Sequence, residues 1–215
     1  MYTLSFFIEK ALKILTTNSC FFCDQGNESL CVPCIALLRK ENGGKDPCHS
    51  IFLSYKDTKV KNILRLAKYE HRTSLYTPLV ISWLQENTLS LLLSKDTQNT
   101  ILIGMPMHRR RRIFRGYNHT EKIVAVFSRE TGIRTDRTLL KKKIYTKRQA
   151  LLPRTKRLVA QKGSFEIGSG AERKLLGKRI ILVDDIMTTG STFQEAKKKL
   201  LLSGAREVLC IALAH

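Results

Sequence analysis

The sequence predicts an α/β fold, a parallel sheet flanked by helices, with a small cysteine-bearing module in front of it. Three observations carry this expectation. Ile180, Ile181, Leu182 and Val183 run without a polar break inside Lys178–Val183, and Glu207–Leu213 has the same character. Strands that are apolar on both sides belong to parallel sheets covered on both faces. Thr192–Ser203, between them, reads as a helix, so strand and helix alternate. Finally, Cys20-Phe-Phe-Cys23 and Cys31-Val-Pro-Cys34 stand in the first 50 residues, before the alternation begins.

A chain of 215 residues suffices for one such domain and an appendage. The expected division is 1–50 and 51–215, marked by the turn-forming run Asn42-Gly43-Gly44-Lys45-Asp46-Pro47. Hydrophobic residues make up 43%, a globular rather than a disordered composition.

Taken in order, Leu4, Phe7, Ile8, Ala11, Leu12 and Leu15 share one face at helical spacing. Such a helix packs on its own domain or lies on a membrane surface, and the first is the commoner outcome. The pattern then predicts a strand at Ile51–Tyr55, helices at Val60–Tyr69 and Leu79–Leu93, and a strand at Ile101–Gly104. Thr120–Arg129 reads as a helix with Ile123, Val124 and Phe127 on one side and Gly132 as its stop. No apolar run is long enough for a membrane span, and the N-terminus lacks the features of a secretory signal. A reducing cytoplasm is the expected location.

Chemistry concentrates at Val183-Asp184-Asp185-Ile186-Met187-Thr188-Thr189-Gly190-Ser191-Thr192. A buried strand is expected to end at Val183, with a helix beginning near Thr192, where Thr192-Phe-Gln-Glu195 has the spacing of a capping box. Ligands of open α/β sheets bind beyond the carboxyl ends of the strands. A helix N-terminus offers unpaired N–H groups to a phosphate. Thr188, Thr189, Ser191 and Thr192 add hydroxyl donors, and Gly190 allows close approach. Asp184 and Asp185 would repel a phosphate, so their partners are vicinal sugar hydroxyls or Mg²⁺.

The two Cys-x-x-Cys pairs, seven residues apart, suit a tetrahedral thiolate site for structural Zn²⁺ formed by Cys20, Cys23, Cys31 and Cys34. So short a segment has too little core to hold itself together without a metal. The alternatives are disulfides, disfavoured in a reducing compartment, and unliganded buried thiols. Cys48-His49 lies close enough to be a substitute ligand or a loop residue, and Cys210 reads as core.

The net charge of +20 is concentrated: residues 107–160 hold 17 basic and 3 acidic side chains, a net of +14. A field focused in this way favours a polyanion. Its first part, His108-Arg109-Arg110-Arg111-Arg112-Ile-Phe-Arg115-Gly-Tyr-Asn118, is expected as a loop following the Ile101–Gly104 strand. There its arginine forks would reach a diphosphate. Its second part, Lys141, Lys142 and Lys143 with Tyr145, Lys147 and Arg148, mixes basic and aromatic residues. That mixture suits single-stranded nucleic acid; attraction to anionic lipid and simple solubility compete with it.

Ile181-Leu-Val-Asp-Asp-Ile-Met-Thr-Thr-Gly-Ser-Thr192 resembles the 5-phosphoribosyl 1-diphosphate signature of type I phosphoribosyltransferases. The resemblance implies a type I phosphoribosyltransferase-like sheet, with Asp184 and Asp185 on the ribose 2- and 3-hydroxyls. It also implies that Thr188, Thr189, Gly190, Ser191 and Thr192 hold the 5-phosphate, with Mg²⁺ accompanying the ligand. Together with the double Cys-x-x-Cys module, the chain resembles the ComF family of competence proteins. Leu66-Ala-Lys68-Tyr69, Met105-Pro106-Met107-His108-Arg109-Arg110, Arg115-Gly-Tyr-Asn-His119 and the Thr146/Gln149 pair match that family's elements. His119 stands where the family usually has Gln, and Arg157-Leu-Val-Ala-Gln-Lys-Gly163 departs from its Arg-x-x-Asn-Val pattern.

This second resemblance implies handling of incoming single-stranded DNA during natural transformation, on the cytoplasmic side of the inner membrane and beside other competence proteins. Lys68, His108, Arg109 and Arg115 would then meet the diphosphate. Arg110, Arg111, Arg112, Lys141, Lys142, Lys143, Lys147 and Arg148 would meet DNA. The alternative is an active phosphoribosyltransferase acting on a base, amine or DNA acceptor.

Overall fold

A computed structural model describes residues 19–26, 28–41, 49–70, 72–86, 96–143 and 163–215. The expected first helix, the 42–47 linker and Cys48 lie outside the described residues. So do the last part of the expected Leu79–Leu93 helix and Tyr145, Thr146, Lys147, Arg148 and Gln149.

Four parallel strands form the sheet: β1 (His49–Leu53), β2 (Thr100–Gly104), β5 (Arg179–Ile186) and β6 (Glu207–Ala214), in the order β1-β6-β5-β2. A separate antiparallel pair joins β3 (Leu140–Lys142) to β4 (Phe165–Ile167). The described helices are α1 (Val32–Ala36), α2 (Thr58–Tyr69), α3 (Tyr76–Glu86), α4 (Arg109–Arg115), α5 (His119–Thr131), α6 (Glu172–Leu175) and α7 (Ser191–Leu202).

Register explains how continuous apolar strands serve both faces. Leu102, Ile181 and Leu209 align across β2, β5 and β6 and enter one core with α2, α3 and α5. Their neighbours Ile101, Ile180 and Val208 enter a second core with α7 and the β3–β4 pair. Successive side chains of a strand leave on opposite faces, so a fully covered sheet needs every position apolar. Cys20, Leu30, Ile35 and Leu38 belong to the first of these cores. The cysteine module therefore shares a core with the sheet domain across the expected boundary at residue 50.

Three local expectations change. The strand expected to end at Val183 continues through both aspartates to Ile186, because β6 runs alongside and pairs Asp184 with Ala212 and Ile186 with Ala214. The basic stretch expected as a loop is the helix α4: the His108 imidazole accepts from the Arg110 N–H at 3.2 Å as its cap, and Gly116 closes it. Arginine is itself a good helix former. The capping box is absent. Helix α7 starts one residue earlier, at Ser191 with Gly190 as N-cap, and the Glu195 carboxylate instead accepts from the Gly163 N–H at 2.6 Å. Helix α5 ends at Gly132 as expected.

Candidate functional site

The site lies where β2 and β5 deliver their carboxyl ends. Met105 N–H donates to the Val183 carbonyl at 2.7 Å, carrying the chain on from β2 beside β5. The Met105 carbonyl then accepts from Asn118 Nδ2 at 3.2 Å and from Thr120 Oγ1 at 2.9 Å. Asn118 also caps α5 through its side-chain oxygen. The Arg-Gly-Tyr-Asn element thus works partly as a clamp that fixes the start of α5 against β2. A Cβ on Gly104 would stand 2.9 Å from Thr120 Oγ1 and 3.1 Å from the Thr120 carbonyl carbon. Only glycine lets the two backbones come this close.

The clamp places His119 at the first position of α5, facing the acidic pair. His119 Nε2 lies 3.2 Å from Asp185 Oδ1 and 4.0 Å from Asp184 Oδ1. From the end of α2, Lys68 Nζ reaches Asp185 Oδ2 at 2.6 Å. Asp184 turns back to accept the Asp185 N–H at 2.9 Å. The two aspartates, equivalent in the sequence, are therefore different chemically. Burial works against ionisation of Asp185, but Lys68 and then His119 outweigh it and hold the carboxyl well below the usual range. Burial, and next the Asp185 charge, push Asp184 well above it. For Lys68 burial opposes the charge, and Asp185 followed by Asp184 more than restores it.

The segment between β5 and α7 is held from below: Met187 N–H donates to the Ala214 carbonyl at 2.9 Å, and His215 Nε2 lies 3.0 Å from the Thr188 carbonyl. Gly190 adopts φ 73°, a left-handed conformation that an L side chain resists, and it turns the chain into the first turn of α7. Thr189 Oγ1 and Ser191 Oγ stand 2.9 Å apart. Two hydroxyls and the leading N–H groups of a helix thus follow directly on the strand that carries the carboxylates.

The basic residues divide. Arg109 and Arg110 are exposed. Arg112 forms an ion pair with Glu121 at 3.3 Å, and Arg115 covers the Tyr69 ring at 4.6 Å. Lys141 and Lys143 are exposed on the β3 strand and its end. Lys142 packs 5.0 Å from the Phe165 ring centre. Its ammonium is shifted downward by burial, against the attraction of Asp184 and with the repulsion of Arg111. Lys142, Arg111 and Asp184 therefore lie close enough to act on one another. Lys68, expected beside a diphosphate, bonds Asp185.

Sequence reasoning missed two tyrosines. Tyr117 Oη donates to the Ala67 carbonyl at 3.0 Å, tying the start of α5 to α2. Tyr76 is fully buried, and its hydroxyl has no hydrogen-bond partner among the described residues. Burial, followed by the charge of Asp185, raises its pKa. Tyr117 was visible within Arg-Gly-Tyr-Asn; nothing in the pattern around Tyr76 marks it.

The four cysteines converge. All four Sγ atoms lie within 4.8 Å of one another, and Cys23 and Cys31 are 3.7 Å apart. Tetrahedral Zn²⁺ with Zn–S bonds of about 2.3 Å requires sulfurs about 3.8 Å apart, so the set fits a metal. No disulfide joins these four. Burial opposes a thiolate at Cys20, but backbone N–H groups of Cys23, Cys31 and Phe22 outweigh it and bring the thiol down to about 6. Cys34 is pushed up to about 12 by burial and by the crowding of the other sulfurs, which a cation would relieve.

A parallel sheet flanked by helices, with an acid pair on the strand before a glycine-led helix, resembles the phosphoribosyltransferase fold. Residues 129–215 match the family model of the phosphoribosyl transferase domain. The chain is 31% identical over 107 residues to DNA utilization protein YhgH of Escherichia coli O6:H1, a match covering 50% of this chain and 45% of that protein. It is 30% identical over 114 residues to competence protein F of Haemophilus influenzae, covering 53% and 49%. The matched region spans about half the length of these curated relatives. The motif resemblance to ComF competence proteins holds in these comparisons. Among solved structures, the allosteric regulatory enzyme of purine biosynthesis aligns at 19% identity and a TM-score of 0.36, covering 64% of this chain and 26% of its own.

Proposed function

We propose that this protein binds 5-phosphoribosyl 1-diphosphate at Asp184–Thr192 and handles single-stranded DNA during uptake, as a cytoplasmic competence factor. The observation that carries the first half is the meeting of the Asp184–Asp185 pair with the Gly190-led start of α7. In this reading the aspartates take the ribose hydroxyls and Thr188–Thr192 take the 5-phosphate. Asp185 is already held by Lys68 and His119. Asp184, with 17% of its side chain exposed, is then the carboxylate nearest to solvent and suits a Mg²⁺ carried in with the diphosphate. His108 and Arg109, which open α4 at the exit of β2, meet that diphosphate, while Lys68 orients Asp185. The cysteine cluster holds Zn²⁺ and braces α1 against the core.

Support for the DNA half comes from the competence and DNA utilization proteins among the relatives and from the charge concentrated in residues 107–160. Titration calorimetry with phosphoribosyl diphosphate and Mg²⁺ tests the ligand. Binding by the native protein and its loss in Asp184→Asn are expected, and unchanged affinity in that variant refutes the assignment. Gel shifts at increasing salt test the DNA. Binding to single strands that weakens steeply with salt is expected, and no binding at low salt ends this half of the reading.

A second reading, transfer of the phosphoribosyl group to an acceptor, is favoured by the family-model match over residues 129–215. Arginines and Mg²⁺ would then stabilise the departing diphosphate. Release of labelled diphosphate with a base, an amine or DNA supplied supports it, and no release with any of them removes it.

A further inference from the structure

Helix α4 presents to solvent what a basic helix ordinarily turns inward. Phe114 is 91% exposed and Ile113 72% exposed, in the midst of Arg109, Arg110, Arg112 and Arg115. Neither apolar side chain belongs to the carboxylate site or to either core. A second ring stands nearby in the open: Tyr69 is 54% exposed and lies under the Arg115 guanidinium at 4.6 Å. The same two segments make the buried site from their inner side. Tyr69 follows Lys68, whose ammonium bonds Asp185, and Tyr117 ties the turn after Arg115 to Ala67. The exposed rings and the carboxylate site are thus the outer and inner aspects of one junction.

The charge of α4 selects the occupant of these rings. All its polar side chains are arginines, of which Arg112 pairs with Glu121. A partner must therefore offer anions, and next to them flat apolar faces for Phe114 and Tyr69. Single-stranded DNA offers both, since its bases are free to stack while its phosphates meet arginines. A duplex hides the base faces in its interior.

We propose that Phe114 and Tyr69 are a base-stacking platform for single-stranded DNA, with Arg110 on a neighbouring phosphate. The inference rests on the single-strand reading of the function and names the residues that grip the strand. Arg115 holds the Tyr69 ring flat, and Ile113 gives the platform an apolar shoulder.

Fluorescence anisotropy with a labelled oligothymidylate tests it. Phe114→Ala, at so exposed a position, should leave the circular dichroism spectrum unchanged and weaken binding at least about fivefold, the lower end for loss of one stacked base. An abasic oligomer carrying the same phosphates should bind native protein and Phe114→Ala alike. Phe114→Trp should keep the affinity and show emission quenched on binding, readily seen because the protein's single tryptophan, Trp83, is buried. Native-like oligothymidylate binding by Phe114→Ala overturns the platform while leaving the single-strand reading intact. Absence of binding by the native protein ends both. Should Phe114→Ala lose only its attachment to phosphatidylglycerol vesicles, the surface belongs to a membrane and the proposal is wrong.

Discussion

Lys68 Nζ lies 2.6 Å from Asp185 Oδ2 across 117 positions of sequence, with 18% and 3% of their side chains exposed. The contact joins the last turn of α2 to the end of β5 and leaves neither charge to water. Taking two ions into such a place is costly, and removing one strands the other. Asp185→Asn should therefore destabilise the protein by about 3–5 kcal/mol, measured as a lowered denaturant midpoint. Lys68→Met should cost less, because His119 still meets Asp185 at 3.2 Å. Asp185 holds Lys68 above the ordinary lysine value of 10.5 and is itself held below the ordinary 3.8, so this stabilisation is complete between those two values. It is lost as pH rises through the raised lysine value, and lost again as pH falls through the lowered carboxyl value. Equal midpoints for native protein and Asp185→Asn would falsify this account of the pair.

Asp184 shifts the opposite way from Asp185. Its folded-state pKa lies well above the ordinary 3.8, so the native state binds the proton more tightly than the unfolded chain. Its contribution to stability is present below pH 3.8 and declines as pH climbs through the raised value. Asp184→Asn removes that decline. The difference in melting temperature, Asp184→Asn minus native, should grow from about pH 4 upward, in contrast to the loss expected for Asp185→Asn. A difference that shrinks over this range contradicts the assignment.

The cysteine cluster shares a core with the sheet through Cys20, Leu30, Ile35 and Leu38. Metal loss should be felt beyond the module for that reason. Purified protein should carry about one Zn²⁺ by elemental analysis. Treatment with a strong chelator should lower the melting temperature of the whole protein, and Cys34→Ser should do the same. A metal-free preparation with an undiminished melting temperature rules out the structural role.

Gly104 stands against Thr120, one residue from His119. Gly104→Ala must push α5 away from β2, at about 1–3 kcal/mol for an overpacked contact. The shift moves His119 away from the aspartates, so affinity for phosphoribosyl diphosphate should fall together with stability. Calorimetry and thermal melting on the same sample read both, and a native affinity in this variant shows that the β2–α5 spacing does not set the site.

Much of this was legible in the order of residues. The unbroken apolar runs at Ile180–Val183 and Glu207–Leu213 are β5 and β6, because a sheet covered on both faces requires apolar residues at every strand position. Gly132 ends α5 where its pattern stops, since capping is a property of a few adjacent residues. The convergence of four sulfurs followed from the spacing of two knuckles. The β3–β4 pair was not legible: each strand is three residues long, and its register depends on a partner remote in the chain. The helical state of Arg109–Arg115 was hidden by its charge, which reads as a loop until His108 is seen to cap it.

By itself, then, the sequence determined the class of fold, the acid pair on a strand followed by a helix, and the cysteine set, because each depends on neighbours within a few positions. Only the tertiary structure decided that Asp184 and Asp185 differ, that Lys68 serves Asp185, and that Phe114 faces water. Those distinctions arise from burial and from charges brought together across the chain, and no local pattern records which of two adjacent carboxylates a distant lysine will reach.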